Sequence, residues 1–168
     1  IGAGNTVRFD QANAASKVLN RVVGANPSQI FGSLSSNGQV WLVNPYGVLF
    51  GSTARVDVAS LVVSTLNIGA DDWRAGRFSL GGGAEAGSLV NQGELRSTTG
   101  GRIFLLGGAA GVRNEGLITA PDGQVALAAG ASIDLADGQT RNLAVRVQVP
   151  QGQVLNLGSI VASGGRVD

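Results

Sequence analysis

The sequence predicts an all-β solenoid, and three observations predict it. A short apolar strand pattern recurs at a spacing of about 22 residues, a coil-sized repeat. An asparagine-centred corner pattern recurs in phase with it. Glycine, at 27 of 168 residues, is spread between these strands with no three-residue period. Glycine distributed that way marks tight turns between short strands rather than collagen.

The strand pattern is Gly-(Arg/Gln)-apolar-x-apolar. It reads Gly38-Gln39-Val40-Trp41-Leu42, Gly76-Arg77-Phe78-Ser79-Leu80, Gly101-Arg102-Ile103-Phe104-Leu105 and Gly123-Gln124-Val125-Ala126-Leu127, and begins again at Gly165-Arg166-Val167. Looser copies are Ala54-Arg55-Val56-Asp57-Val58 and Ala144-Val145-Arg146-Val147. The strand starts are Val40, Val56, Phe78, Ile103, Val125, Val145 and Val167. Apart from the shorter first step, they follow one another at about 20 to about 25 residues. A repeat of that size without helical periodicity is a solenoid coil of short strands, and stacked coils bury a continuous apolar column. Alternation within each strand places Val40/Leu42, Val56/Val58, Ile103/Leu105 and Val125/Leu127 inside the column, and Gln39, Trp41, Arg55, Asp57, Arg102, Phe104 and Gln124 on its outside. Neighbouring coils should lie at the ordinary strand spacing of about 4.8 Å.

The corner pattern is Asn-x-Gly-x-(Leu/Ile), found at Asn91-Gln92-Gly93-Glu94-Leu95, Asn114-Glu115-Gly116-Leu117-Ile118 and Asn156-Leu157-Gly158-Ser159-Ile160. Asn44-Pro45-Tyr46-Gly47-Val48-Leu49 reads as the same unit with one extra residue. Here Asn can bond backbone two residues on, Pro presets φ at about −65°, and Gly accepts a positive φ. Pro has no N–H for a ladder, which also points to a corner.

Other stretches depart from the repeat. Asp10–Leu19 has mild helix propensity with Asp10 as an N-cap, and a strand pair with a loop fits equally well. Ser60–Ile68 is β-branched and apolar, hence strand; Asn67–Gly76 reads as an excursion and Gly81-Gly82-Gly83 as a loose connection. The chain reads as one β-helical domain over residues 1–168, and because its last residues stop partway through a coil it is expected to be the start of a longer protein.

Composition excludes most chemistry. The chain has no His, Cys or Met, so Ser-His-Asp triads, thiol nucleophiles and ordinary zinc sites are ruled out. Twelve basic and eleven acidic residues, with no like-charged run, give no footprint for nucleic acid. Asp71-Asp72 is the only adjacent carboxylate pair and reads as a solvated loop. Glu94 and Glu115, read as stacked on neighbouring coils, are too few for calcium. The Gly81–Gly87 stretch lacks the Lys-Ser/Thr ending of a phosphate loop. No enzyme activity, cofactor or metal is expected. Trp41 and Phe104 are outward aromatics, which either stack on sugars or lie under a neighbouring loop.

Asn20-Arg21-Val22-Val23-Gly24, Pro27-Ser28-Gln29-Ile30-Phe31-Gly32-Ser33-Leu34 and the Asn37–Gly51 block together resemble the two-partner secretion domain, the N-terminal haemagglutination-activity module of filamentous-haemagglutinin-like exoproteins. Asn44-Pro45-Tyr46-Gly47-Val48 stands where that family carries Asn-Pro-Asn-Gly-Ile, with Tyr46 and Val48 departing from the commonest form. The resemblance is clear from Ile1 to about Leu80 and generic beyond. It implies a right-handed parallel β-helix with small extra-helical strands, expected to be an N-terminal part of a much longer exoprotein and to lack its own N-terminal cap. It also implies export through the periplasm to the medium or cell surface by an outer-membrane β-barrel transporter with periplasmic recognition domains. The residues it assigns to transporter recognition, while the segment is still extended, are Asn20, Arg21, Val22, Asn44, Pro45, Tyr46, Gly47 and Val48. Host-cell glycans or receptors are partners expected of the full-length protein. Two rival readings are a carbohydrate- or host-cell-binding module using Trp41 and Phe104, and a polysaccharide-active β-helix enzyme, for which the sequence supplies no outer cluster of carboxylates.

Overall fold

A computed structural model describes residues 1–137 and 143–168. The chain winds as a parallel β-helix whose coils each lay strands on three faces. The first face stacks Thr6–Phe9, Ser33–Ser36, Arg55–Val58, Glu94–Ser97, Leu117–Thr119 and Ser159–Val161. The second stacks Lys17–Arg21, Gln39–Val43, Ser60–Ser64, Arg102–Gly107, the start of Gln124–Asp137, and Arg166–Val167. The third stacks Ser28–Ile30, Val48–Phe50, Leu89–Asn91, Val112–Asn114 and Val154–Asn156. All of these pairings are parallel and in register.

The column inside is apolar, as the alternation requires. Val40, Val56, Val58, Ile103, Leu105 and Val125 are buried in it with Leu61, Leu89, Leu95 and Ile118, and Leu42 and Leu127 pack against it. Burying a side chain of this size stabilises the fold by about 1.5–3 kcal/mol.

Two insertions grow from the corner between the second and third faces. One carries Asn67–Ile68, a short helix Ala70–Arg74, Phe78–Gly81 and a 3-10 turn Gly83–Glu85. The other is a hairpin formed where the Gln124–Asp137 strand leaves the second face and pairs antiparallel with Leu143–Pro150. Phe78–Leu80 pairs antiparallel with Ile133–Leu135, joining both insertions in one sheet. That sheet covers the outer side of the second face and makes a second apolar core with Trp41, Val62, Phe104 and Leu106 inside it. No helix among the described residues is long and apolar enough to cross a membrane.

Several expectations are corrected by this arrangement. Phe78 and Val145 lie on antiparallel insertion strands and do not start coils. The residues stacked along the second face are Val18, Val40, Leu61, Ile103, Val125 and Val167. One coil separates neighbours in this row, except across an insertion, from Leu61 to Ile103 and from Val125 to Val167, where the step doubles. Each insertion is thus nearly one coil long, which keeps the apparent period intact. Val56 lies on the first face, so its short step from Val40 runs within a coil. Asp10–Leu19 has no helix: turns lead into the strand Lys17–Arg21. Trp41, Phe104 and Gln124 do point away from the column, yet the insertion sheet buries all three.

Candidate functional site

The Asn44–Gly47 corner is a hydrogen-bonded turn. The Gly47 N–H donates to the Asn44 carbonyl at 3.0 Å, and Asn44 Oδ1 accepts the Tyr46 N–H at 3.0 Å. Gly47 has φ +119°, a conformation closed to residues with a Cβ. Asn44 is fully buried. Its Nδ2 donates to the Asn26 carbonyl and to Ser28 Oγ, both at 2.9 Å. The side chain therefore staples this corner to the turn one coil below. On the other side, the Gly87 N–H donates to the Pro45 carbonyl at 2.8 Å and the Val48 N–H to the Ser88 carbonyl at 3.0 Å. Because both amide hydrogens and the Oδ1 of Asn44 are used, Asn44→Ala should cost about 1–3 kcal/mol, read as a lowered midpoint in urea unfolding.

The eight residues expected at this site fall into one neighbourhood. Asn20 and Arg21 lie in register with Leu42 and Val43, and the Val22 N–H donates to the Val43 carbonyl at 2.9 Å. The Asn20-Arg21-Val22 strand thus runs beside the strand that feeds the Asn44 corner. Within the set, Asn44, Gly47 and Val48 are buried, Asn20, Val22 and Pro45 are half-buried, and Arg21 and Tyr46 are exposed. Tyr46, 54% exposed, gives the turn only its backbone N–H. That explains why a tyrosine is accommodated where the resembling family carries asparagine.

The corner is not a longer copy of the Asn-x-Gly unit. Asn91 aligns with Phe50 across the third face, and Asn114 and Asn156 stack on Asn91. These three sit at the corner between the third and first faces and form a ladder: Asn91 Nδ2 donates to Asn114 Oδ1, and Asn114 Nδ2 to Asn156 Oδ1, each at 2.8 Å. Asn44 is at the preceding corner, facing Asn26 and Ser28. Sequence reading missed those two partners; Ser28 follows Pro27 inside the Pro27–Leu34 block, and that was the available signal.

Arg21 also does more than the sequence showed. Its Nη1 donates to the Ile68 carbonyl at 3.0 Å, tying the second face to the first insertion. Gln124 works similarly at the second insertion: its Nε2 donates to the Leu143 carbonyl and its Oε1 accepts the Leu143 N–H, both at 2.9 Å.

The rival ligand sites fare less well. Trp41 is 2% exposed and packs on Trp73 and Phe78, with ring centroids 5.1 and 4.8 Å apart, while Phe104 is fully buried. Neither ring can serve as a sugar platform in the folded domain. Titrating the domain with oligosaccharides should leave its tryptophan emission unchanged. Asp71 and Asp72 lie on the short helix in ion pairs with Arg74 and Arg77. Glu94 and Glu115 are not stacked: Glu94 aligns with Leu117 and pairs with Arg55, and Glu115 pairs with Arg113. Among the described residues no group of three or more His, Cys, Asp or Glu side chains is placed to hold a metal ion.

Residues 1–167 match the family described as TPS secretion domain. The chain is similar to the HMW1 secretion domain from Haemophilus influenzae, with a TM-score of 0.88 and 32% identity over 99% of this chain and 45% of that one. It is also 43% identical over 68 residues to a heme/hemopexin-binding protein of Haemophilus influenzae, and 44% identical over 68 residues to that of strain ATCC 51907. Those matches span 40% of this chain and 7% and 8% of the two relatives.

Proposed function

This chain belongs to the TPS secretion domain family, and from that membership we propose that it is the secretion-targeting and folding-nucleating segment of a large bacterial exoprotein of adhesin type. Its partner in this reading is an outer-membrane two-partner-secretion transporter. The observation that carries the proposal is the family match over residues 1–167, together with the placement of Asn20–Val22 beside Leu42–Val43, which leads into the Asn44 corner. Destination follows from the same reading: through the periplasm to the medium or the cell surface. What the relatives' names record, heme and hemopexin binding, concerns those longer proteins.

The burial pattern supports recognition of a chain that is still extended. Asn44, Gly47 and Val48 expose their groups to a partner only before the coil closes over them. Once folded, the corner offers Tyr46 and the flank of Pro45. Export through a pore also suits the architecture, because each coil pairs with its neighbours and folding releases free energy on the far side.

Substitutions separate recognition from folding. Asn44→Ala combined with Gly47→Ala should cut partner-dependent export of the chain at least about tenfold, since both lose the turn that the motif encodes. Unchanged export would sink the proposal. Tyr46→Ala is the discriminating variant: being exposed, it should shift stability by no more than about 0.5 kcal/mol. A drop in its export at unchanged stability would assign the Tyr46 side chain to recognition.

A further inference from the structure

Stacked coils alone would make a domain whose stability is a sum of neighbour terms. The insertions add connections of another range. Phe78 pairs with Leu135 and Leu80 with Ile133, far beyond a single coil of the stack. Through the second core they reach back to the strand Gln39–Val43, where Trp41 rests on Phe78 and Trp73. They reach further still at Lys17, whose Nζ lies 4.8 Å from the Phe78 ring centroid, and at Arg21, bonded to the Ile68 carbonyl. Gly83 packs directly under the Gly130 carbonyl, where a Cβ would have no room, so the two insertions also meet at their bases. The Gln124 side chain fixes the returning arm of the hairpin at Leu143.

The outer side of the early coils is therefore apolar and is covered by both insertions together, the first one and the hairpin of Gln124–Asp137 and Leu143–Pro150. Leu19, Trp41, Val62 and Phe104 form a row across four second-face strands, and their cover comes from the insertions. The first insertion alone supplies Phe78 and Leu80 on a strand whose long partner is Ile133–Leu135. We propose that the two insertions are a latch: docking of the hairpin locks the coils from Lys17 onward into one cooperative unit, in place of coil-by-coil folding. Arg21 and Gln124 are positioning residues of that latch. Resting on the secretion reading, the consequence for export is that emerging coils stay loosely held until the hairpin has followed them.

The latch is testable on the purified chain without any transporter, so its failure leaves the secretion reading untouched. Native-state hydrogen exchange should show the amides of Trp41–Val43, Phe78–Leu80 and Ile133–Leu135 opening with one common free energy. Leu135→Ala should speed exchange about 30-fold or more at all three segments alike. A Leu135→Ala chain with no protected amides would support the latch equally, because independently folding coils would retain Trp41–Val43. Arg21→Ala, a milder change, should then show faster exchange at Trp41–Val43 and at Phe78–Leu80 together. Faster exchange confined to the two insertions, with Trp41–Val43 as protected as in the unaltered chain, would overturn it.

Discussion

Gly116→Ala is expected to destabilise the domain by about 3 kcal/mol or more, the top of the range for overpacking and a large part of the roughly 5–15 kcal/mol that typically holds a domain together. The cause is close approach, not backbone conformation. Gly116 stacks on Gly93 of the coil below and under Gly158 of the coil above, and its φ is not positive. A Cβ there would lie inside the contact radius of the Gly93 carbonyl oxygen and within 2.8–2.9 Å of the Gln92 carbonyl carbon and Gly93 nitrogen. All three atoms are backbone, held by ladder bonds such as that from the Leu117 N–H to the Gly93 carbonyl at 2.9 Å. No side chain can swing away, so two coils must separate. Thermal unfolding of the variant should shift down by about 10 °C or more for a domain of this size.

Asn114→Asp should cost a similar amount, about 3–5 kcal/mol, at neutral pH. Asn114 is fully buried in the middle of the ladder, receiving from Asn91 Nδ2 and giving to Asn156 Oδ1. Aspartate is the same size but has only acceptors. An ionised carboxylate would keep the bond from Asn91, set an oxygen against Asn156 Oδ1, and bring a charge into a site whose ladder partners are neutral amides. Asn114→Ala should be milder, about 2–3 kcal/mol, leaving one Asn91 N–H short of its partner. Urea unfolding of the three chains side by side would rank them, and an Asn114→Asp chain as stable as the unaltered one would refute the ladder's importance.

Much of the column was legible in the sequence because its rule is local. Alternation in Gly38–Leu42, Gly101–Leu105 and Gly123–Leu127 identifies inward residues whatever lies around them, and the structure buries those side chains or packs them against the core. The Asn44 turn was legible for the same reason: Asn, Pro and Gly encode backbone angles within four residues. Alternation also placed Trp41 and Phe104 on the outer side, but it says nothing of what covers that side. Their cover comes from Phe78, Leu80, Ile133 and Leu135, which are distant in sequence.

The misreadings share a physical origin in patterns that look alike and do different work. Gly76–Leu80 obeys the strand pattern, yet its strand pairs antiparallel outside the helix, and a strand's residue types do not record its direction. Insertions nearly one coil long then hid themselves within the period. Asn44–Gly47 and Asn91–Gly93 share their letters as well. Gly47 is needed for its positive φ and Gly93 for the closeness of the coil below, where Ala54 and Gly51 carbonyl oxygens lie 2.6 and 2.7 Å from where a Cβ would be. Arg21 was assigned with its motif, while its bond to Ile68 depends on an insertion the motif does not mention.

Secretion of an inert reporter would decide whether this chain directs export through a partner transporter. The chain would be fused between a signal peptide and the reporter and expressed with and without the cognate outer-membrane barrel. Reporter should reach the medium only when the barrel is present, and should be lost from it when Asn44 and Gly47 are both replaced by alanine. Reporter held in the periplasm under both conditions, with the domain folded, would refute a secretion role.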